Sequence, residues 1–216
     1  MIYVHHHLGL GDHIVCNAIV RNLYKKYGKL MLAVKKHNYE SIKNLYNDLH
    51  IEFHVVNSDA DCVPMYSTMP FIRIGFENCR SDWEQSFYDQ VGLPYEKRFS
   101  DFFISRNFEK ENNLKDTVAP KEDYCFCNIS ASTGKYDIPI NTKLQKVYLS
   151  PVTDSIFDWL SVIESAKEIH TIDSSVFQLI KQLKLNCRKV FYDIRALDRT
   201  RSTPSFEDSS WEIVVL

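Results

Sequence analysis

The chain has 216 residues, 44% apolar and 13% aromatic, enough to pack one large domain or two small ones. Charged residues make up 25% and the net charge is -2, so no basic excess draws a nucleic acid. No apolar run approaches the roughly 18 residues of a membrane span, and the N-terminus enters a strand without a signal-like segment, so a cytoplasmic protein with no membrane span is expected.

Ile2-Tyr3-Val4 is a short apolar strand. The turn His5-His6-His7-Leu8-Gly9-Leu10-Gly11-Asp12-His13 follows, with His5 and His7 on one strand face and His6 on the other. A helix is expected from 14 to 27, where Val15, Ile19 and Leu23 recur at four-residue spacing and Gly28 ends the pattern. Asp12 and His13 then stand at the start of that helix. The run 29–35 is apolar on both faces, as in a covered parallel sheet. A helix near 39–49 and a strand over 51–56 continue the alternation. Residues 57–68 read as irregular, 70–76 as a short strand and 82–92 as a helix. Phe99, Phe102, Phe103 and Ile104 form an aromatic cluster that reads as packing.

The polar stretch 105–123 marks a boundary, which sets an N-terminal domain at 1–108 and a C-terminal domain at 109–216. The second half opens with the strand Tyr124-Cys125-Phe126-Cys127-Asn128-Ile129 and the polar loop Ser130-Ala131-Ser132-Thr133-Gly134-Lys135. A strand follows at 146–149. Thr153 or Asp154 is expected to cap a helix bearing Ile156, Trp159, Leu160 and Ile163. A strand at 168–172 runs into Asp173-Ser174-Ser175, which caps a helix. A last buried strand covers 189–194. The tail 195–210 reads as polar and irregular, and the apolar end 211–216 as docking on the body. Two similar α/β halves facing a cleft are the expected architecture, with ligands at the carboxyl ends of the strands.

The six cysteines are scattered, and Cys125-x-Cys127 is the one close pair. No second pair completes a zinc pattern, so reduced, packed thiols and no metal site are expected. Position 14, where a dinucleotide fingerprint needs glycine, is Ile14. Gly134-Lys135 lacks the rest of a triphosphatase loop, and no G-x-S-x-G or H-E-x-x-H occurs. A strand end running into a helix N-terminus at Asp173-Ser174-Ser175 suits a phosphate or plain capping. Ser130, Ser132, Thr133 and Lys135 suit a diphosphate or a solvated turn. Asp12 and His13 are the residue types for acid–base work, and Asp12 equally suits the helix dipole.

Leu8-Gly9-Leu10-Gly11-Asp12-His13-Ile14, with Asn17 and Arg21, resembles the G-x-G-D opening of GT-B glycosyltransferases of the heptosyltransferase-like type. Ile156-Phe157-Asp158-Trp159-Leu160, Ala166, and Ile172-Asp173-Ser174-Ser175-Val176-Phe177-Gln178-Leu179 resemble the late segment of the same type. Where that pattern has Asp-Ser-Gly and a later histidine, this chain has Asp-Ser-Ser. The resemblance implies two Rossmann-like domains, with a glycan or glycolipid acceptor on the first and a nucleotide-sugar donor on the second. It implies an inverting transfer without metal or other cofactor. Asp12 would be the general base, with His13 as helper or rival. His7, Gly9 and Gly11 would lie on the acceptor side. Ser130, Ser132, Thr133, Lys135, Asp173, Ser174 and Ser175 would meet the donor. Arg195, Arg199 or Arg201 could reach the site or be solvated. A non-catalytic nucleotide- or sugar-binding module, and another nucleotide-sugar enzyme such as an epimerase, are the alternative readings.

Overall fold

The computed structural model describes residues 1–198, 205–206 and 209–216. Its first strand, β1 (Ile2–His6), pairs in parallel with β2 (Leu30–Lys35) and β4 (Phe71–Ile74). With β3 (Glu52–Val56) they form a sheet in the order β3-β2-β1-β4. Tyr3, Val4, Leu32 and Val34 are fully buried, which explains why both faces of these central strands are apolar. The chain steps from β1 to β2 to β3 and then returns to the other side of β1. The carboxyl ends of β1 and β4 therefore flank a topological switch point.

The expected helix at 14–27 is two helices, α1 (Leu10–Val15) and α2 (Asn17–Tyr27), with a break at Cys16. The helical region starts earlier than its apolar stripe, because Gly9 already accepts a hydrogen bond from the His13 N–H, 3.1 Å. Gly28 ends α2 at φ 74, donating to the Tyr24 carbonyl, 2.8 Å. Then α3 (Tyr39–Leu45) lies between β2 and β3. The segment expected to be irregular holds a 3-10 helix, Asp59–Ser67. Its start is a capping box, in which Asp61 accepts from the N–H groups of Asn57 and Ser58 at 2.9 and 3.1 Å. Two further helices, α4 (Trp83–Gln90) and α5 (Lys97–Ser100), complete a compact unit, Met1–Ser105.

The second compact unit is Arg106–Leu216. The stretch expected to be a polar connection contains α6 (Phe108–Val118). Asn107 caps it by accepting from the Lys110 N–H at 3.0 Å. Its inward side is Leu114 and Glu111, and Arg106 and Ser161 satisfy the Glu111 carboxylate. A helix with so few apolar residues leaves almost no periodic signal.

After α6 come β5 (Tyr124–Asn128), the two-residue strands β6 (Ser130–Ala131) and β7 (Gly134–Lys135), and β8 (Gln145–Tyr148). Ser155, rather than Thr153 or Asp154, caps the next helical turn, a 3-10 segment Ile156–Trp159 that continues as α7 (Leu160–Ser165). Then follow β9 (Glu168–Ile172), α8 (Ser175–Ile180), β10 (Arg188–Asp193) and β11 (Trp211–Val215). The sheet order is β11-β10-β9-β5-β8, parallel throughout. The apolar C-terminal end is thus an edge strand on β10. The switch point here falls between β5 and β9.

Candidate active site

Both switch points carry the polar residues that stand out in the sequence. In the first unit, the turn after β1 presents His7, Gly9, Gly11 and Asp12. Gly9 is extended at φ -69 and precedes α1, and neither Gly9 nor Gly11 adopts a positive φ. Gly9 is needed for space: a Cβ there would run into Asp12 Oδ2. Gly11 and Asp12 are the second and third residues of α1, and both are half-buried. The aspartate carboxylate therefore folds back over the turn, at the positive end of the helix dipole.

His7 closes the turn onto β4. Its Nε2 donates to the Gly75 carbonyl at 2.7 Å, and its ring packs on Phe76 at 4.5 Å between centroids. Gly75 needs both its φ of 88 and its lack of a side chain, since a Cβ would lie 2.6 Å from the Phe87 ring and 2.8 Å from His7. His5 shares the face of His7. It pairs with Tyr66 Oη at 2.5 Å and donates to Asp59 at 3.0 Å. Burial holds its pKa below the usual value although Asp59 pulls the other way.

His6 points to the opposite face and meets His13, with ring centroids 4.3 Å apart in an edge-on contact. His6 Nδ1 donates to the His7 carbonyl at 2.7 Å. His6 Nε2 and both ring nitrogens of His13 are buried without a protein partner. Burial lowers the His6 pKa to about 4 and puts that of His13 well below the ordinary range. His13 has no exposed surface, so its imidazole is held neutral and packed against His6.

Asn17 and Arg21, which carry part of the family resemblance, brace the unit. Asn17 Oδ1 accepts from the Phe103 N–H at 3.1 Å and Nδ2 donates to the Phe103 carbonyl at 3.2 Å. Arg21 grips both oxygens of Asp48 at 2.8 and 2.9 Å. The arginine lowers the Asp48 pKa. These are polar anchors for the aromatic segment 99–104.

In the second unit, Ser174 is the N-cap of α8. Its hydroxyl accepts from the Phe177 N–H at 3.2 Å, donates to the Ile172 carbonyl at 3.2 Å and accepts from Asn128 Nδ2 at 2.8 Å. Capping therefore engages this side chain. Asp173 and Ser175 stand on either side, half-buried. Asn128, at the end of β5, has its Oδ1 buried with no protein partner. Its signal in the sequence is a lone polar side chain closing an apolar strand.

The loop 130–135 is a tight hairpin, in which Ser130 pairs with Lys135 and Ala131 with Gly134. Ser132, Thr133 and Lys135 are exposed and Ser130 is half-buried. Thr133 Oγ1 lies 2.6 Å from Tyr136 Oη, which donates to Asp198 at 2.8 Å. Because β5 and β9 are paired, the hairpin and Asp173–Ser175 leave neighbouring strand ends. Arg195 is held by Asp193 through Nε at 2.9 Å, and the pairing lowers the aspartate's pKa. Arg199 and Arg201 lie outside the described residues.

No protein-family pattern matches the chain. No curated protein matches it either. Solved structures do. A glycosyl transferase of family 9 from Veillonella parvula DSM 2008 superposes with a TM-score of 0.60 at 9% identity, over 99% of this chain and 86% of that one. The ADP-heptose lps heptosyltransferase II of E. coli superposes with a TM-score of 0.54 at 10% identity, over 99% of this chain and 89% of that one. At such identities the likeness is one of fold: this chain shares the parallel α/β organisation of glycosyltransferases. Among the described residues, no helix is long and apolar enough to cross a membrane.

Proposed function

We propose that the chain is a glycosyltransferase that moves a sugar from a nucleotide-sugar donor to a hydroxyl of a glycan or glycolipid acceptor. The observation that carries this reading is Asp12, standing at the switch point of a sheet in a chain with a glycosyltransferase fold. Asp12 takes the acceptor proton as the oxygen attacks the anomeric carbon. The bond from that carbon to the diphosphate breaks on the opposite face, the configuration inverts, and nucleoside diphosphate leaves. His7, Gly9 and Gly11 line the acceptor side.

On the donor side, Lys135 and the hydroxyls of Ser130, Ser132, Thr133 and Ser175 stabilise the charge on the leaving diphosphate, which makes the transfer independent of a metal. Asp173 accepts a hydrogen bond from a donor hydroxyl. Ser174 contributes by holding the turn, and Asn128 Oδ1 offers an acceptor at its base.

The test is to screen nucleotide sugars by thermal shift, then to follow release of nucleoside diphosphate with glycan and glycolipid acceptors. Transfer that falls about 10²- to 10⁴-fold in Asp12→Asn, with donor binding intact, supports the reading. Donor binding without turnover under any acceptor would make the chain a binding module instead. Transfer untouched in Asp12→Asn would overturn the base assignment.

A further inference from the structure

Four reactive side chains in the second unit have no part in the proposed transfer. Cys125 and Cys127 lie on β5, and Glu168 and His170 on β9. Residues two apart on a strand share a face, and the register sets Cys125 opposite Glu168 and Cys127 opposite His170. All four therefore project from one side of the sheet. The two sulfurs are 3.5 Å apart, and His170 Nε2 lies 3.2 Å from Glu168 Oε2. Ligand atoms of Cys125, Glu168 and His170 all fall within 4.8 Å of one another, and the Cys127 sulfur stands outside that set, beside the sulfur of Cys125. We propose that Cys125, Cys127, Glu168 and His170 form a structural site for one zinc ion.

Packed thiols alone do not account for a carboxylate and an imidazole converging on the Cys125 sulfur, with a second sulfur beside it. The donor chemistry fits zinc: thiolate and imidazole ligands favour it over magnesium or calcium. Zinc bonds of about 2.0–2.3 Å in a tetrahedron place ligand atoms roughly 3.3–3.8 Å apart, so Cys125, Glu168 and His170 close on an ion by modest side-chain movement and Cys127 joins them by turning its sulfur toward the same point. His170 is already oriented. Its Nδ1 lies 2.8 Å from Tyr192 Oη, so an Nδ1–H donated to that oxygen leaves Nε2 free to bind metal.

Charge and access fit as well. On binding, both thiols lose their protons to solvent, giving two thiolates and one carboxylate around a divalent ion. The remaining negative charge faces Arg188, 3.4 Å from Glu168, and Lys146, opposite Cys125 in the register of β8. Cys125, Cys127 and His170 are buried. Glu168 is half-buried and lines a pocket of about 390 Å³ with Thr142, Lys167 and Arg188, which gives the ion a way in. The pocket opens at the amino ends of β9 and β10, whereas Ser174 follows the carboxyl end of β9. The ion would pin together the two strands that flank the donor-side switch point.

The test uses the whole chain, stripped with EDTA and titrated with cobalt(II) and then zinc(II). One cobalt per chain, a thiolate-to-cobalt charge-transfer band and tetrahedral visible bands are expected, all bleached by zinc. Folded Cys127→Ser and His170→Gln variants should bind at least tenfold more weakly. Absence of a thiolate band, or a spectrum and stoichiometry unchanged in folded Cys127→Ser, would overturn the proposal. A zinc-edge absorption spectrum of the wild-type protein needs no variant to fold: two sulfur neighbours support the site, and nitrogen and oxygen neighbours alone refute it.

Discussion

The carboxylate of Asp12 occupies the space that a side chain on residue 9 would need, so Gly9 is the residue that lets Asp12 lie over the turn. The backbone of Gly9, at φ -69 and ψ 146, is one that any residue adopts. Gly9→Ala therefore leaves the fold intact and displaces the tip of a flexible side chain. Its unfolding free energy, measured in urea, should fall by no more than about 1 kcal/mol, while sugar transfer falls at least tenfold because the base has moved. A variant with full activity would show that the position of Asp12 over Gly9 has no bearing on the chemistry.

His6 and His13 set a pH dependence. Both are held neutral in the folded chain by burial, His6 with a pKa of about 4 and His13 well below its ordinary value. In the unfolded chain both take up a proton as pH falls through about 6.5. The unfolded state then binds more protons, so stability is lost below that pH and is independent of these groups above it. The slope reaches about 1.4 kcal/mol per pH unit for each histidine. Denaturation midpoints measured between pH 8 and 5 should show it. His13→Phe, which removes two unpartnered nitrogens, should flatten the curve without loss at neutral pH.

Ser174→Ala separates capping from ligand binding. The hydroxyl already serves the Phe177 N–H, the Ile172 carbonyl and Asn128. Its loss should cost about 1 kcal/mol of stability, with nucleoside diphosphate affinity changed less than twofold once folding is complete. Lys135→Ala should do the reverse, weakening diphosphate binding at unchanged melting temperature. Calorimetry of both variants decides between these roles.

A buried ion pair braces the first unit. Arg98 is fully buried and pairs with Glu84, with Tyr95 Oη 2.6 Å from its Nη1. Removing one partner leaves an uncompensated charge, so Glu84→Gln and Arg98→Met should each destabilise by about 3–5 kcal/mol. The double variant should lose less than the sum of the two, as a double-mutant cycle in urea would reveal.

The alternation of strands and helices through the first 56 residues is legible in the sequence because two-sided apolar strands and amphipathic helices are local patterns. Glu168–Ile172 reads correctly to the residue for the same reason. The 3-10 helix Asp59–Ser67 and α6 escape that reading. One is made by a capping box and the other by a buried Glu111 whose partners come from residues 106 and 161.

Candidate residues divide in the same way. The strand–turn–helix around Asp12 and the strand end before Ser174 follow from residue order, and so does their place at the carboxyl edge of a parallel sheet. That His13 is sealed against His6, that Ser174 is spent on its own helix and that Asn17 and Arg21 brace a distant segment depend on which side chains meet. So does the convergence of Cys125 and Cys127 with Glu168 and His170, which no spacing rule joins. Local periodicity determines the elements, because backbone hydrogen bonds and apolar stripes are set by near neighbours. Burial, pairing and strand register decide what each polar side chain can do, because they bring together residues far apart in the chain.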